Sequence, residues 1–260
     1  MPASDLKLFA AFHKPFPQPK AEYIISIKGG NALGNTITHM AGDDTGLSIS
    51  SLNATFSELT ILYWIWKNGN RDGLKYWGLV HYRRYFCLDK GFGNFTRKKI
   101  YNFPESAVHL NDVVTDKLYN KLHQSLQTHD VVMPRRMHNY KKRGAYKSIT
   151  QLYKEKHEGA DWELMLEIIK ERHPSYIKSF SFFDKNQMSY FNMMIAPWPI
   201  WDEYLSWLFD ILFEVEKRVE KKTNAYQARL PGFISERLLN FFVHHHGYKI
   251  AHFPIAAFDK

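Results

Sequence analysis

Four consecutive residues, His81-Tyr82-Arg83-Arg84, concentrate hydrogen-bond donors and positive charge at the end of an apolar run, residues 76–86 (YWGLVHYRRYF). The run reads as a buried strand, and open α/β sheets bind ligands where such strands end. Two guanidinium forks side by side match a phosphate or diphosphate in shape and charge. In one continuous strand His81 and Arg83 would point to one face, Tyr82 and Arg84 to the other. Bases on both faces cannot all be buried cheaply, so at least one face must border solvent or a ligand. The competing reading is a charged strand end paired with carboxylates elsewhere.

Carboxylates and amides that could serve the same chemistry are spread along the chain. Asp43 and Asp44, in the loop 42–50 (GDDTGLSIS), suit a ribose or sugar contact, or else a simple Asx-turn. Asn53 and Glu58 follow on the next predicted helix, where Glu58 faces either the cleft or solvent. Asp130 opens a short strand that Pro134-Arg135-Arg136 close, again a strand end with bases. Asp184, Asn186 and Asn192 flank an apolar stretch expected as a strand at 193–196, and would hold a hydroxylated ligand or the backbone. Glu236, in GFISER (232–237), is expected in the first turn of a helix capped by Ser235. The exposed N–H groups there would keep it ionised, as a general base requires; ordinary dipole complementation is the alternative. His244, His245 and His246 do not read as a metal site, because successive helical residues point about 100° apart. CxxC, HExxH, P-loop, GxGxxG and nucleophile-elbow patterns are all absent.

The elements that must position these residues alternate. Strands are expected at 6–12, 23–27, 76–86, 130–133, 193–196 and 249–255. Residues 29–47 read as a long polar loop. Helices are expected at 54–67 (capped by Asn53), from Asp112 to 127, at 148–157, 162–172 (capped by Asp161), 201–220 and from Ser235 to Gly247, each with an apolar stripe or a cap–stop pair. The fold class is therefore α/β, one domain over 1–260 with a mostly parallel central sheet flanked by helices.

Across 260 residues the formal charge is +9, which favours an anionic partner such as nucleotide phosphates, nucleic acid or a membrane surface. Basic runs stand at 97–99, 135–136, 141–143 and 217–222. Aromatic residues make up 16%, enough for a large core and for surfaces that stack sugars or bases. A single cysteine, Cys87, permits no internal disulfide, and neither an export segment nor an apolar run of membrane-spanning length stands out. The expectation is a cytoplasmic protein, with peripheral contact at the inner face of the cytoplasmic membrane.

The ordered set GDDTGLSISSLNATFSELTILYWIWKN, YWGLVHYRRYF, HDVVMPRR, FFDKNQMSYFNMMIA and GFISERLLN resembles the uncharacterised-domain family found among bacterial capsule, exopolysaccharide and O-antigen biosynthesis proteins. That family looks like glycosyltransferases of the GT-A type, Rossmann-like in fold, with some members forming β-galactofuranosyl linkages. The resemblance implies a UDP-sugar donor, a lipid-linked glycan acceptor in the lipopolysaccharide or capsule class, and transfer with inversion. It casts His81, Arg83, Arg84, Asp43, Asp44, Asn53 and Asp130 as donor-binding, Glu58, Asp184 and Asn192 as acceptor-binding, and Glu236 as base. GT-A enzymes usually carry an Asp-x-Asp metal motif at a strand end; here His81-Tyr82-Arg83-Arg84 stands in its place. No cofactor is therefore expected, with Asp43, Asp44 and Asp130 as fallback ligands for Mg²⁺ or Mn²⁺. Two other classes compete: a nucleic-acid-binding module, which would need one continuous basic stripe, and a non-catalytic polysaccharide-assembly scaffold.

Overall fold

The computed structural model describes residues 5–34, 37, 39–89, 98–139, 144–220 and 222–259, and the backbone of 141 and 142. Arg97, Arg143 and Lys221, and the side chains of Lys141 and Lys142, all from the basic runs, lie outside these. In chain order the strands are β1 Leu6–Phe12, β2 Ile24–Lys28, β3 Ala41–Gly42, β4 Tyr76–His81, β5 Arg84–Phe86, β6 Ile100–Pro104, β7 Val131–Pro134, β8 Met137–His138, β9 Lys141–Lys142, β10 Ala145–Tyr146, β11 Gln187–Met188, β12 Ile195–Pro197, β13 Ile250–Phe253 and β14 Ile255–Asp259. The helices are α1 Asn53–Phe56, α2 Leu59–Asn68, α3 Ala107–Val113, α4 Asp116–Leu126, α5 Ile149–Lys156, α6 Gly159–Arg172, α7 Trp198–Arg218 and α8 Leu230–His245.

The central sheet runs β13-β7-β12-β4-β1-β2-β3, and β5, β14 and β6 extend it beyond β4. It is largely parallel: β1 pairs in parallel with both β2 and β4, β7 with β13, and β6 with β14, while β12 runs antiparallel between β4 and β7. After β1 the chain steps to β2 and β3 on one side, then returns to place β4 on the other. Strand order thus reverses between β1 and β4, the position at which open α/β sheets bind ligands.

Strand periodicity sorts the core onto two faces. Phe9 and Ala11 of β1, with Trp77 and Leu79 of β4, pack beneath α2 and α5 to α8. Leu6, Leu8 and Ala10, with Tyr76 and Val80, pack against α3 and α4. Both faces are covered, so these strands read as unbroken apolar runs rather than alternating ones.

Several expected boundaries move, each for a local reason. The helix expected at 54–67 is broken at Ser57 (φ 51°), and Asn53 begins α1 instead of capping it; its Nδ2 bridges the break by donating to Ser57 O and Thr60 Oγ1. The helix expected from Asp112 splits into α3 and α4 at Val114-Thr115, where a β-branched run disfavours the helix and Thr115 Oγ1 caps α4. Strand 76–86 is two strands joined by a turn at Tyr82-Arg83, with His81 paired opposite Arg84. Pro254, which has no N–H, separates β13 from β14. α6 and α7 each begin three residues earlier than expected, and α8 begins at Leu230, with Pro231 in its first turn.

Gly78 lies where β1, β4 and β12 are closest: a Cβ there would stand 2.5 Å from Leu8 Cδ2 and 2.8 Å from Ile195 Cγ1. Gly78→Ala should overpack this crossing and cost about 1–3 kcal/mol. It should lower the urea midpoint with little change in slope; an unchanged midpoint contradicts this packing.

Candidate active site

The carboxyl ends of β1, β2 and β4 open into a cleft of about 750 Å³, at the β1/β4 switch point. Six Lys or Arg side chains line it (Lys14, Arg83, Arg84, Lys156, Arg229 and Arg237) against two carboxylates, Glu58 and Glu236. Such an imbalance inside a concavity focuses a positive field on whatever enters.

The turn at Tyr82-Arg83 creates this concentration. Tyr82 is buried among Phe12, His13 and Phe16, with its ring edge-on to His13 at 4.7 Å, and its N–H donates to Ala11 O. Anchoring that ring folds the chain back, so His81, Tyr82, Arg83 and Arg84 all line one cleft rather than two faces of a strand. Arg84 is held below its ordinary pKa by burial and by neighbouring Arg83, with Asp259, Tyr82 and Glu236 acting the other way. Its guanidinium lies 4.8 Å from the Phe191 ring. Arg83 pairs with the exposed Asp259 at 3.5 Å and lies 5.6 Å from the Tyr82 ring, and its Nε is buried with no hydrogen-bond partner among the described residues. His13 is likewise pushed down, first by burial and then by Lys14, Arg229, Arg83 and Lys28. An anion placed here would relieve the mutual repulsion of all of them.

The carboxylates are organised by a strained turn. Phe191 and Asn192 both have positive φ, 82° and 50°. Phe191 N donates to Glu236 Oε1 (2.7 Å), and Asn192 Nδ2 donates to Glu58 Oε1 (2.9 Å) and Ser235 Oγ (2.8 Å). His81 Nε2 donates to Phe191 O; since a carbonyl only accepts, that nitrogen carries the proton. His81 therefore positions the turn, with only Nδ1 left for a ligand. Asn192 Oδ1 is buried without a partner, a second unsatisfied polar atom on a cleft residue.

Glu236 reaches the cleft by a different route from the one expected. Ser235 is not a cap: α8 has already begun at Leu230, and Ser235 Oγ bonds back to Gly232 O. Glu236 thus stands in the second turn, and no acidic residue occupies the first. Its Oε2 is held instead by Arg237, 3.0 Å away. Glu58, at the head of α2, faces the cleft because Ser57 breaks the helix before it.

Four expected site residues lie elsewhere. Asp43 is fully buried, accepting from Gly30 N, Asn31 N, Ser50 Oγ and Thr60 Oγ1. It pins the loop after β2, where Gly30 (φ 69°) passes so close to Asn53 that a Cβ would lie 2.6 Å from its Oδ1. Asn53 itself lines the cleft. Asp44 is exposed and accepts from Asn31 Nδ2; Asp130 accepts from Lys249 N; Asp184 is exposed on a 3-10 turn away from the cleft. Among the described residues no group of three or more His, Cys, Asp or Glu side chains is placed to hold a metal. Asp43 is spent on its four donors, which leaves Asp44 and Asp130 of the fallback ligand set.

Sequence reasoning missed His13, Lys14, Arg229 and Arg237. His13-Lys14 had a signal, two bases directly after a strand. Arg229 had none: it reaches Ser57 Oγ (3.0 Å) across a fold-dependent gap.

Residues 7–247 match the family described as Domain of unknown function (DUF4422). The chain belongs to that family. A search of curated proteins finds no match. Among solved structures, the apo form of the WbbM bifunctional glycosyltransferase superposes with a TM-score of 0.83 at 25% identity, over 98% of this chain and 45% of that one. The chain thus spans under half the length of that neighbour. The superposition places this fold with the glycosyltransferase fold that the family resemblance implied.

Asp43 and Asp44 give a contrast within one dipeptide. Asp43→Ala removes the acceptor of four donors, three of them in buried bonds, and should cost about 1–3 kcal/mol, whereas Asp44→Ala should stay within about 0.5 kcal/mol. Equal shifts in chemical denaturation would refute the structural role of Asp43.

Proposed function

We propose that this chain is an inverting glycosyltransferase that moves a sugar from a uridine diphosphate donor, galactofuranose being the specific case, to a bacterial surface-polysaccharide precursor. The observation that carries the reading is the pair of adjacent guanidinium groups, Arg83 and Arg84, with only the exposed Asp259 as an ion-pair partner of Arg83 among the described residues, at the β1/β4 switch point with two carboxylates in the same cleft. Family membership and the likeness to WbbM support glycosyl transfer as the class of chemistry.

In this reading Arg83, Arg84, His13, Lys14 and Arg229 bind the donor diphosphate and stabilise the charge that develops on it. Glu236 takes the proton of the acceptor hydroxyl as that oxygen attacks the anomeric carbon. The bond to the diphosphate oxygen breaks on the opposite face, its electrons pass to the nucleotide, and the anomeric configuration inverts. Glu58, with one oxygen bonded to Asn192 and no described partner on the other, is the second candidate base. The acceptor is a lipid-linked glycan met at the inner face of the cytoplasmic membrane. No helix among the described residues is long and apolar enough to cross a membrane, so contact there would be peripheral. Much of the basic charge outside the cleft is already paired, as in Arg135–Asp89, Arg172–Asp210 and Lys222–Asp161, which disfavours a continuous nucleic-acid stripe.

Arg83→Ala and Arg84→Ala should each weaken uridine diphosphate binding by about 1.5–3 kcal/mol in calorimetry; unchanged affinity in both removes the donor site from this position. Glu236→Gln should keep nucleotide affinity and lose about 10²–10⁴-fold in transfer rate. A near-wild-type rate hands the role to Glu58, tested the same way. Because cations stand where a metal would neutralise the leaving group, turnover should persist in excess chelator. Loss restored by Mn²⁺ or Mg²⁺ would overturn that part of the proposal.

A further inference from the structure

One side of the cleft is mainly aromatic, with Lys156 beside it and the Arg229 guanidinium 5.9 Å from the Phe233 ring. His157, Tyr226 and Phe233 line it, contributed by the end of α5, the turn before α8 and the first turn of α8. The His157 ring is stacked on Phe233 at 4.2 Å and nearly parallel to Tyr226 at 6.0 Å, and Tyr226 packs on Phe233 at 4.9 Å. Tyr226 is 53% exposed, more than any other aromatic ring among the described residues, and its hydroxyl has no hydrogen-bond partner there. Exposing that much ring costs free energy unless something covers it.

We propose that this wall is the acceptor-sugar subsite, with the C–H face of a glycan ring lying on Tyr226 and Phe233. The inference rests on the glycosyltransferase reading above. Phe233 and Glu236 stand three residues apart on α8, hence on one face of the helix. A sugar seated on Phe233 therefore brings its hydroxyls beside the carboxylate that must deprotonate one of them. A uracil on this wall would instead occupy the acceptor's approach to the base. The cations that hold the donor come mainly from the opposite side, from the ends of β1 and β4; Arg229, in the same turn as Tyr226, reaches across to Ser57. His157 adds a polar handle. Its Nδ1–H donates to Gln227 Oε1 (3.1 Å), leaving Nε2 with no described partner. Burial, the largest influence, lowers its pKa and favours the neutral ring, whose bare Nε2 can accept a sugar hydroxyl. An aromatic wall with one acceptor suits the C–H face and hydroxyls of a hexose ring.

The test uses the full chain and two separate readouts. Saturation-transfer NMR with methyl β-D-galactopyranoside and methyl β-D-glucopyranoside reports sugar contact; calorimetry with uridine diphosphate reports the donor site. Wild type should transfer saturation to the ring C–H protons of at least one glycoside. Tyr226→Ala, at an exposed position where folding is not at stake, should cut that signal by at least about threefold, within the range one aromatic face supplies. Tyr226→Phe should retain it, and nucleotide affinity should stay unchanged in both variants. No transfer to either glycoside in wild type, or an undiminished signal in Tyr226→Ala, overturns the proposal. A fall in nucleotide affinity with the glycoside signal intact also overturns it and assigns the wall to the base of the donor. If wild type fails to bind the nucleotide while a Tyr226-dependent glycoside signal persists, the subsite stands and the donor reading falls.

Discussion

Two consecutive non-glycine residues, Phe191 and Asn192, are held at positive φ, and the rest of the site hangs on that turn. Each such conformation costs on the order of 1–3 kcal/mol and persists only where its surroundings over-determine it. Here they do. His81 from β4, Glu236 and Ser235 from α8, and Glu58 from the head of α2 all bond to these two residues, and Arg84 lies against the Phe191 ring. Sheet, both carboxylates and one guanidinium are thus referenced to one rigid point. A turn fixed in this way holds the two carboxylates and the Arg84 guanidinium in constant relation to one another.

Electrostatics supplies the second constraint. A protein gains nothing by gathering His13, Lys14, Arg83, Arg84 and Arg229 around one cavity, since each disfavours the charge of its neighbours. Burial raises that cost further, and the exposed Asp259 offsets little of it, as surface ion pairs contribute about 0–1 kcal/mol. The arrangement is stable because the β4–β5 turn and the buried Tyr82 ring enforce it. It becomes favourable once an anion fills the gap.

The α/β class and the two-faced core were legible because strands buried on both sides leave unbroken apolar runs, as in 6–12 and 76–81. Arg83, Arg84, Glu58, Asn192 and Glu236 were legible as chemistry-bearing residues, and they converge on one cleft. What misled was local pattern without its tertiary partner. Ser235-Glu236 looks like a helix start, but Pro231 had already begun the helix. Asp43-Asp44 looks like a sugar-binding pair, yet Asp43 is consumed in holding the loop after β2. Arg229 carries no sequence signal, since its role depends on a contact with Ser57, 172 residues away.

The reading comes down to whether a nucleotide diphosphate sits at the β1/β4 switch point. A crystal structure of the chain with uridine diphosphate tests that directly. The account predicts both phosphates within hydrogen-bonding reach of Arg83 and Arg84, with His13 beside them and Glu236 facing the vacant sugar position. Nucleotide bound elsewhere on the sheet, or phosphates turned away from both guanidinium groups, would contradict it.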